Sequence, residues 1–217
     1  MHTFAGSRAM RVVLASNNAK KLAELRSLLG GLALELVAQA ELGIAEAEEP
    51  HLTFVENALA KARQAAAAAG GAALADDSGL VVPALGGAPG VASAVFAPAP
   101  SGAGEREARR RAQDAANNAL LLERLRGCRD RGAYFVSTLV ALRHAADPEP
   151  LVASARWAGE ILESARGTGG FGYDPLLFIP ALGATVAELT PEAKNRHSHR
   201  AQAVAQLRKL LVEVWRL

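Results

Sequence analysis

The sequence predicts an α/β protein, and three observations lead to this prediction. Short aliphatic runs typical of strands alternate with amphipathic stretches typical of helices. A length of 217 residues is enough to bury a sizeable core in one domain, which we expect to form two lobes around a cleft. The chain is 50% hydrophobic with a net charge of +2, so neither disorder nor a strongly basic surface for a nucleic-acid polymer is indicated.

The first strand and helix enclose a polar loop typical of phosphate binding. We expect the strand at Val12–Ala15 and a helix that ends at Gly30-Gly31. The loop between them consists of Ser16, Asn17, Asn18, Ala19, Lys20 and Lys21. A helix N-terminus attracts anions through its unpaired amides and its dipole, and a lysine adds a full charge. The alternative is an ordinary helix cap formed by Asn17 or Asn18.

An acidic stretch precedes the next predicted helix. It runs from Glu41 to Glu56, and Thr53 opens the helix with capping-box spacing to Glu56. A carboxylate from this stretch could reach a metal ion held elsewhere, although a solvated acidic loop is the alternative. The alanine-rich residues from Ala58 to Ala69 favour helix by intrinsic propensity.

Two adjacent carboxylates, Asp76 and Asp77, interrupt an apolar run. We expect buried strands on both sides of them, with a turn at Ser78-Gly79. Burying two ionised carboxylates is costly, and a Mg²⁺ ion between them would offset that cost. The alternative is that one aspartate caps the turn while the other is solvated.

The middle of the chain is expected to contain two irregular loops, one long helix and a pair of strands. Loops are expected at Leu85–Gly90 and Pro98–Gly104, which are rich in Gly, Pro and Ala. We expect one long helix at Glu105–Arg126, with Ala112, Ala116, Leu120 and Leu121 facing inward and the basic run Arg109, Arg110 and Arg111 facing outward. An antiparallel strand pair is expected at Tyr134–Leu142 and Leu151–Trp157.

A glycine-rich loop at Gly167–Pro175 holds two of the few aromatic residues, Phe171 and Tyr173. Glycine lets the backbone approach a ligand closely, and an aromatic ring there is well placed to stack on a base. The alternative is a glycine-rich hairpin whose aromatic residues lie in the core. Cations and hydrogen-bond donors then gather before the final helix, Ala201–Trp215, for which Ser198 is the expected cap.

Several classes of protein are disfavoured by the sequence. Cys128 is the only cysteine, so an intrachain disulfide cannot form and a reducing, cytoplasmic location is expected. Residues 1–10 lack the apolar core of a signal peptide and are expected to form an extension before a single domain at 11–217. No window approaches the roughly 20 apolar residues that span a bilayer, so no membrane partner is expected.

Six stretches in order resemble the Ham1 family of inosine and xanthosine triphosphate pyrophosphatases. They are Ser16–Lys21 with Glu24, Thr53–Ala58 with Lys61, Ala75–Leu80, Leu85–Gly90, Gly169–Pro175, and Lys194 with Ser198–Arg200. The resemblance implies an elongated mixed β-sheet flanked by helices, with two lobes and a central cleft. It also implies a homodimer that hydrolyses ITP, dITP and XTP to the monophosphate and pyrophosphate, with Mg²⁺, or Mn²⁺ in its place.

The resemblance also assigns roles to individual residues. Asp77 is the general base, and Glu49 and Asp77 are the metal positions, with Glu48 and Glu56 as alternatives to Glu49. The substrate-binding positions are Ser16, Asn17, Asn18, Ala19, Lys20, Lys21, Ser78, Phe171, Gly172, Tyr173, Asp174, Lys194, His199 and Arg200. Lys61 could offset phosphate charge or serve the structure alone. A donor aimed at the 6-oxo group of the purine would reject ATP, and His199, Arg200 or an amide near Tyr173 could supply it.

One stretch departs from the family pattern. The family commonly has Tyr and Arg where this chain has Ala92 and Val95. Two alternative functions are considered, and this departure bears on the second of them. The first is a Maf-like pyrophosphatase, a related fold that acts on other modified nucleotides. The second is a catalytically silent nucleotide-binding protein, which the retained Asp76 and Asp77 argue against.

Overall fold

The computed structural model describes residues 9–99 and 105–217. Residues 1–8 of the predicted extension and residues 100–104 of the predicted loop therefore lie outside the described part of the chain. The strands are β1 (Met10–Leu14), β2 (Leu34–Ala38), β3 (Ala72–Val81), β4 (Gly132–Leu142), β5 (Leu151–Ile161), β6 (Leu177–Ile179) and β7 (Ala184–Thr185). The helices are α1 (Ala19–Leu29), α2 (Phe54–Ala69), α3 (Arg106–Arg124), α4 (Pro191–His197) and α5 (His199–Trp215).

The strands form one mixed sheet in the order β2-β1-β3-β4-β5-β6-β7. Strand β1 is parallel to both of its neighbours, with Val12 opposite Leu36 on β2 and opposite Ala72 on β3. Strands β5, β6 and β7 pair antiparallel. The α/β prediction with a mixed sheet is thus confirmed. Parallel pairing follows from the helical connections, because a parallel neighbour can be reached only through a crossover segment.

The predicted turn at Ser78-Gly79 is wrong. Strand β3 runs without interruption through both aspartates, Ser78 and Gly79 to Val81. It is an inner strand with neighbours on both sides. Sheet hydrogen bonding therefore outweighs the local turn preference of serine and glycine.

The chain divides into two compact units. The first contains the described residues up to Asp77, together with Thr138–Ser154 and Ala201–Leu217. Its alanine-rich helix α2 buries four small side chains at helical spacing, Ala58, Ala62, Ala65 and Ala66. These side chains pack in one cluster with Val13, Ala73 and Val140. Small residues on the inward stripe let the helix approach the strands closely.

The second unit contains Ser78–Ser137 and Ala155–Arg200. Its core cluster includes Leu80, Phe135, Trp157, Tyr173 and Leu176. Helix α3 contributes Leu121 to this core, as well as a fully buried asparagine, Asn117, and Leu125 joins the core directly after the helix. The predicted inward face of α3 is therefore only partly right, since Leu121 is buried whereas Ala112 is exposed. The short helix α4 was not predicted.

Within residues 9–99 and 105–217, no helix has the length and apolar character needed to cross a membrane.

Candidate active site

The polar loop after β1 forms the start of helix α1. The Oδ1 atom of Asn18 accepts hydrogen bonds from the backbone N–H groups of Lys20 and Lys21, at 3.1 and 3.3 Å. The hydroxyl of Ser16 accepts from the N–H of Asn18 at 3.2 Å. The cap alternative is thus confirmed for Asn18, and it holds Lys21 one turn into the helix. The Oδ1 atom of Asn17 is buried and accepts no hydrogen bond from any described residue.

Lysine side chains meet both aspartates of β3. The Nζ atom of Lys21 lies 3.0 Å from Oδ2 of Asp76, whose side chain is fully buried. The Nζ atom of Lys61 lies 2.9 Å from Oδ1 of Asp77 and 2.7 Å from Oε1 of Glu49. Successive side chains of a strand point to opposite faces, which explains why adjacent aspartates meet different lysines. We call these five residues the lysine–carboxylate cluster.

Electrostatics fix the charge state of Lys61. Burial alone would lower its pKa, but Asp77 and Glu49 outweigh burial, so that the pKa of Lys61 is raised. The ammonium also donates to the backbone carbonyl of Asp76 at 3.1 Å. Burial raises the pKa of Asp77, and the charge of Lys61 opposes part of that rise. An ammonium held by two carboxylates and a carbonyl is well ordered.

The cluster contains an oxygen atom suited to a further ligand. Oδ2 of Asp77 is buried and has no hydrogen-bond partner among the described residues. The Glu49 side chain is 42% exposed, so it can change partners. In the described residues no group of three or more His, Cys, Asp or Glu side chains is arranged to hold a metal by itself. Two carboxylates completed by water and phosphate oxygens are nevertheless a common Mg²⁺ donor set, so these residues fit the ion.

The acidic loop contributes Glu49 to this cluster, whereas Glu56 belongs to the N-terminal cap of helix α2. Glu56 and Thr53 bond to each other at the start of α2, where the Thr53 hydroxyl also accepts from the N–H of Glu56 at 3.3 Å. Thr53 is thus the N-cap expected from the sequence, while the Glu56 carboxylate binds the Thr53 hydroxyl instead of its backbone N–H. Of the three glutamates considered for the second metal position, Glu49 is the one placed against Lys61.

In the second unit, Asp174 organises the glycine-rich loop. Its Oδ2 atom accepts from the N–H of Phe171 and from Nζ of Lys194, both at 2.9 Å. The same ammonium lies 4.6 Å from the centre of the Phe171 ring, within cation–π range. Gly170 has a φ of +73°, and a Cβ atom there would come within 2.0 Å of the Asp174 carboxylate. Glycine is therefore required at this position by both backbone conformation and space.

The two aromatic residues of this loop differ in position. Tyr173 lies in the core with 4% of its surface exposed, and its hydroxyl donates to the carbonyl of Ser93 at 2.9 Å. Burial raises its pKa, and the nearby Asp114 raises it further. Phe171 is only half-buried. The core alternative is thus confirmed for Tyr173, which leaves the Phe171 ring as the partly exposed one.

The first two residues of α5, His199 and Arg200, are buried among rings and hydrogen-bond partners. Arg200 is 1% exposed, and its Nη2 atom donates to the Ser78 hydroxyl at 3.1 Å. The His199 ring stacks on Phe135 with a centroid distance of 4.9 Å and lies 6.5 Å from Trp157. A buried guanidinium with a fixed partner and a histidine held between rings keep their orientation. Such groups suit the recognition of a flat, polar ring.

Comparison with known proteins decides the family. Residues 12–210 match the model of the Ham1 family. The chain belongs to the Ham1 family. The resemblance predicted from the six sequence stretches is thus confirmed.

Several Ham1 relatives are similar to this chain over nearly its whole length. It is 66% identical to a dITP/XTP pyrophosphatase of Methylibium petroleiphilum, with 95% of this chain and 99% of the relative covered. It is 55% identical to a dITP/XTP pyrophosphatase of Burkholderia pseudomallei, with 98% and 99% covered. The solved structure of a HAM1 protein from Coxiella burnetii is 42% identical with a TM-score of 0.83, and covers 94% of this chain and 100% of that chain.

The sequence left the role of Lys61 open, between offsetting phosphate charge and serving the structure alone. The structure places its ammonium against Glu49, Asp77 and the carbonyl of Asp76. A usable signal was present, because Lys61 lies one turn after the buried Asn57 on the inward stripe of α2. Charged residues are rarely buried without a partner, so a lysine on such a stripe indicates a nearby carboxylate.

Proposed function

We propose that this chain hydrolyses dITP and XTP, and with them ITP, to the nucleoside monophosphate and pyrophosphate. It is a hydrolase that acts on acid anhydrides. The high identity to named dITP/XTP pyrophosphatases over nearly the full chain supports this function. The structural observation that carries it is Lys61, whose ammonium joins Asp77 and Glu49 beside a buried carboxylate oxygen that has no hydrogen-bond partner within residues 9–99 and 105–217.

Asp77 is the proposed general base. Its Oδ1 atom is held by Lys61, which leaves Oδ2 to take the proton from an attacking water molecule. When the water attacks, the anhydride bond between the α and β phosphates breaks and pyrophosphate leaves with the bond's electron pair. Lys21 and Lys61 supply positive charge for the polyphosphate.

Mg²⁺ is the proposed metal, with Mn²⁺ as a substitute, and Glu49 and Asp77 would hold it. When bound, it would neutralise phosphate charge that the two lysines leave uncompensated. We expect EDTA to abolish pyrophosphate release and added Mg²⁺ to restore it. Glu49→Gln should raise the Mg²⁺ concentration needed for half-maximal activity, whereas Glu56→Gln, which alters only the cap of α2, should not. Full turnover in chelator would remove the metal from the proposal.

The second unit is proposed to recognise the base. The half-buried Phe171 ring is the proposed stacking surface, and His199, Arg200 or an amide near Tyr173 is the donor to the 6-oxo group. The burial of Arg200 and the stacking of His199 on Phe135 support this role, because both hold a donor in a fixed direction. Adenine carries an amino group at that position, so a fixed donor there would be left unpaired by ATP.

A panel of nucleoside triphosphates tests the function. Pyrophosphate release should be fast with ITP, dITP and XTP and about 10²-fold slower, in kcat/KM, with ATP. Preference for modified pyrimidine nucleotides would favour the Maf-like alternative. Binding of ITP without release of pyrophosphate would favour the catalytically silent binding protein. That alternative arises because the exposed Ala92 and Val95 stand where the family commonly has Tyr and Arg.

The homodimer implied by the resemblance stays a prediction, as does the cytoplasmic location. Sedimentation of the purified chain would test the first, since a dimer has twice the monomer mass of 22.6 kDa. A sedimenting species of monomer mass at micromolar concentration would contradict it.

A further inference from the structure

Helix α3 presents a polar stripe to the glycine-rich loop. Its members are Arg110, Asp114 and Asn118, which follow one another at intervals of four residues and therefore lie on one helix face. Oδ2 of Asp114 accepts from the N–H of Gly172 at 2.9 Å. Nδ2 of Asn118 donates to the carbonyl of Gly172 at 3.0 Å. The guanidinium of Arg110 lies 5.9 Å from the centre of the Phe171 ring.

Both backbone polar groups of Gly172 are thus bound by side chains of one helix. Gly172 has a φ of +60°, in the left-handed region where glycine is favoured. Among the described residues, a Cβ atom at Gly172 would meet nothing within 4 Å. The two side-chain hydrogen bonds from α3 act directly on the N–H and the carbonyl of this residue.

Helix α3 itself has a fixed position relative to this loop. The residue just before Asn118 in the helix, Asn117, is fully buried and donates to the carbonyls of Ser93 and Ala94, each at 3.2 Å. The same Ser93 carbonyl accepts the hydroxyl of Tyr173. Helix and loop thus share an anchor beyond Gly172. The side chains at 114 and 118 act from a rigid element, as precise positioning requires.

We propose that Asp114 and Asn118 are positioning residues that fix the Phe171–Tyr173 segment and thereby set the selectivity of this enzyme for its base. Neither belongs to the lysine–carboxylate cluster. Their effect is transmitted through Gly172 to the Phe171 ring on one side and the Tyr173 amide on the other. This inference rests on the proposed function, since it assigns the glycine-rich loop to the base of the nucleotide.

Paired substitutions separate the two hydrogen bonds from a general packing role. Asp114→Ala removes the acceptor, whereas Asp114→Asn keeps an oxygen that can still accept from Gly172. Asn118→Ala removes the donor, and Asn118→Asp has nearly the same shape but, when ionised, cannot donate to a carbonyl. Matched controls on the same helix are Glu123→Ala and Arg111→Ala, at exposed positions.

Backbone hydrogen exchange of the loop is the first measurement. In Asp114→Ala and Asn118→Asp, amides of the 171–174 segment should exchange at least about 10-fold faster than in the unmodified chain. Asp114→Asn and the two controls should show unmodified exchange. This measurement needs no turnover, so it tests the positioning role even if pyrophosphate release should fail to appear.

Steady-state kinetics with ITP and ATP are the second measurement. Asp114→Ala and Asn118→Asp should raise KM for ITP by about 10-fold while changing kcat little. They should also lower the ratio of kcat/KM for ITP to kcat/KM for ATP. Asp114→Asn should keep the KM for ITP and the ITP-to-ATP ratio of the unmodified chain. Unchanged exchange and unchanged selectivity in Asp114→Ala and Asn118→Asp would overturn the proposal, as would equal losses for ITP and ATP.

Discussion

The lysine–carboxylate cluster of the first unit differs in its charges from the residues of the second unit that are proposed to bind the base. We call the latter the base-recognition group: Phe171, Asp174, Lys194, His199 and Arg200. In the cluster, three carboxylates face two ammonium groups, Lys21 and Lys61. In the second unit, Lys194 pairs with Asp174, whereas Arg200 donates to the neutral hydroxyl of Ser78. The excess of negative charge in the first suits the addition of a cation. The rings and donors of the second suit a neutral, polar ligand.

The two regions also differ in how firmly their side chains are held. Glu49 is 42% exposed, and Oδ2 of Asp77 has no partner among the described residues. Arg200 is 1% exposed, and His199 is stacked on Phe135. A region that exchanges partners is suited to chemistry, and a fixed region is suited to selection. Substitutions in the lysine–carboxylate cluster should therefore change the rate of hydrolysis for all substrates. Substitutions in the base-recognition group should change the preference for ITP over ATP.

The largest expected effect comes from Asp77→Asn. The amide keeps the shape of the side chain but loses both the base and a charge in the cluster, so turnover should fall by about 10²- to 10⁴-fold for every substrate. Pyrophosphate release with ITP and ATP is the measurement. The ratio between the two substrates should stay unchanged, because the base-recognition group is intact.

Asp147→Asn is the matched control for this change. Asp147 is another buried aspartate of the first unit, and it accepts from the N–H groups of Arg143 and Glu149 in a turn. We expect it to lose some thermal stability and keep full turnover. A tenth or more of the original activity in Asp77→Asn would contradict the general-base role.

Smaller losses of activity are expected from one single substitution in each region. Lys21→Met should lower kcat/KM for ITP and ATP by the same factor, because the phosphate chain is common to both. His199→Phe retains a ring to stack on Phe135 but removes a donor, so it should reduce an ITP preference of about 10²-fold. Steady-state kinetics with both substrates measure the two ratios.

Melting temperatures must accompany these values, since Lys21 pairs with the fully buried Asp76. A fall in ITP cleavage by the same factor in both variants, with no change of preference in either, would show that the proposed division of labour is wrong.

Much of the fold could be predicted from local pattern. Helix α2 begins after Thr53 as expected, because the capping residue and the alanine-rich stripe both act within a few turns. The turn at Ser78-Gly79 failed because pairing with strands distant in sequence decided the conformation. Helix α3 was misjudged in the same way, since its inward face buries Asn117 among backbone carbonyls that come from residues 93 and 94.

The candidate site was predictable where chemistry is concentrated in sequence. Two adjacent aspartates and a glycine-rich loop are visible in the chain itself. The partners of these residues are not, because Lys61 reaches Asp77 across 16 residues and Asp114 reaches Gly172 across 58. Tyr173 shows the same limit. Its hydroxyl finds the carbonyl of Ser93 in a distant segment, which places the ring in the core.

The smallest expected effect lies at Glu188, in the second unit, and it concerns stability alone. Hydrogen bonds from Arg166 and from the N–H of Thr185 lower the pKa of Glu188 from 4.5 to about 2. The ionised form therefore stabilises the fold above pH 4.5, and this contribution is lost as the pH falls from about 4.5 towards 2. Glu188→Gln should melt a few degrees lower at pH 7. That difference should shrink steadily as the pH is lowered to 3.

The control for Glu188 is Glu163→Gln, an exposed glutamate of the same unit, which should melt as the unmodified chain does at both pH values. Glu188 binds Arg166, which lies just before the glycine-rich loop. The backbone carbonyl of Arg166 also accepts a hydrogen bond from the Thr185 hydroxyl. Turnover and the ITP preference at pH 7 should therefore remain unchanged, because Asp174 and Gly172 hold the loop further along. A constant melting difference between pH 7 and pH 3 would show that the charge of Glu188 does not stabilise this unit.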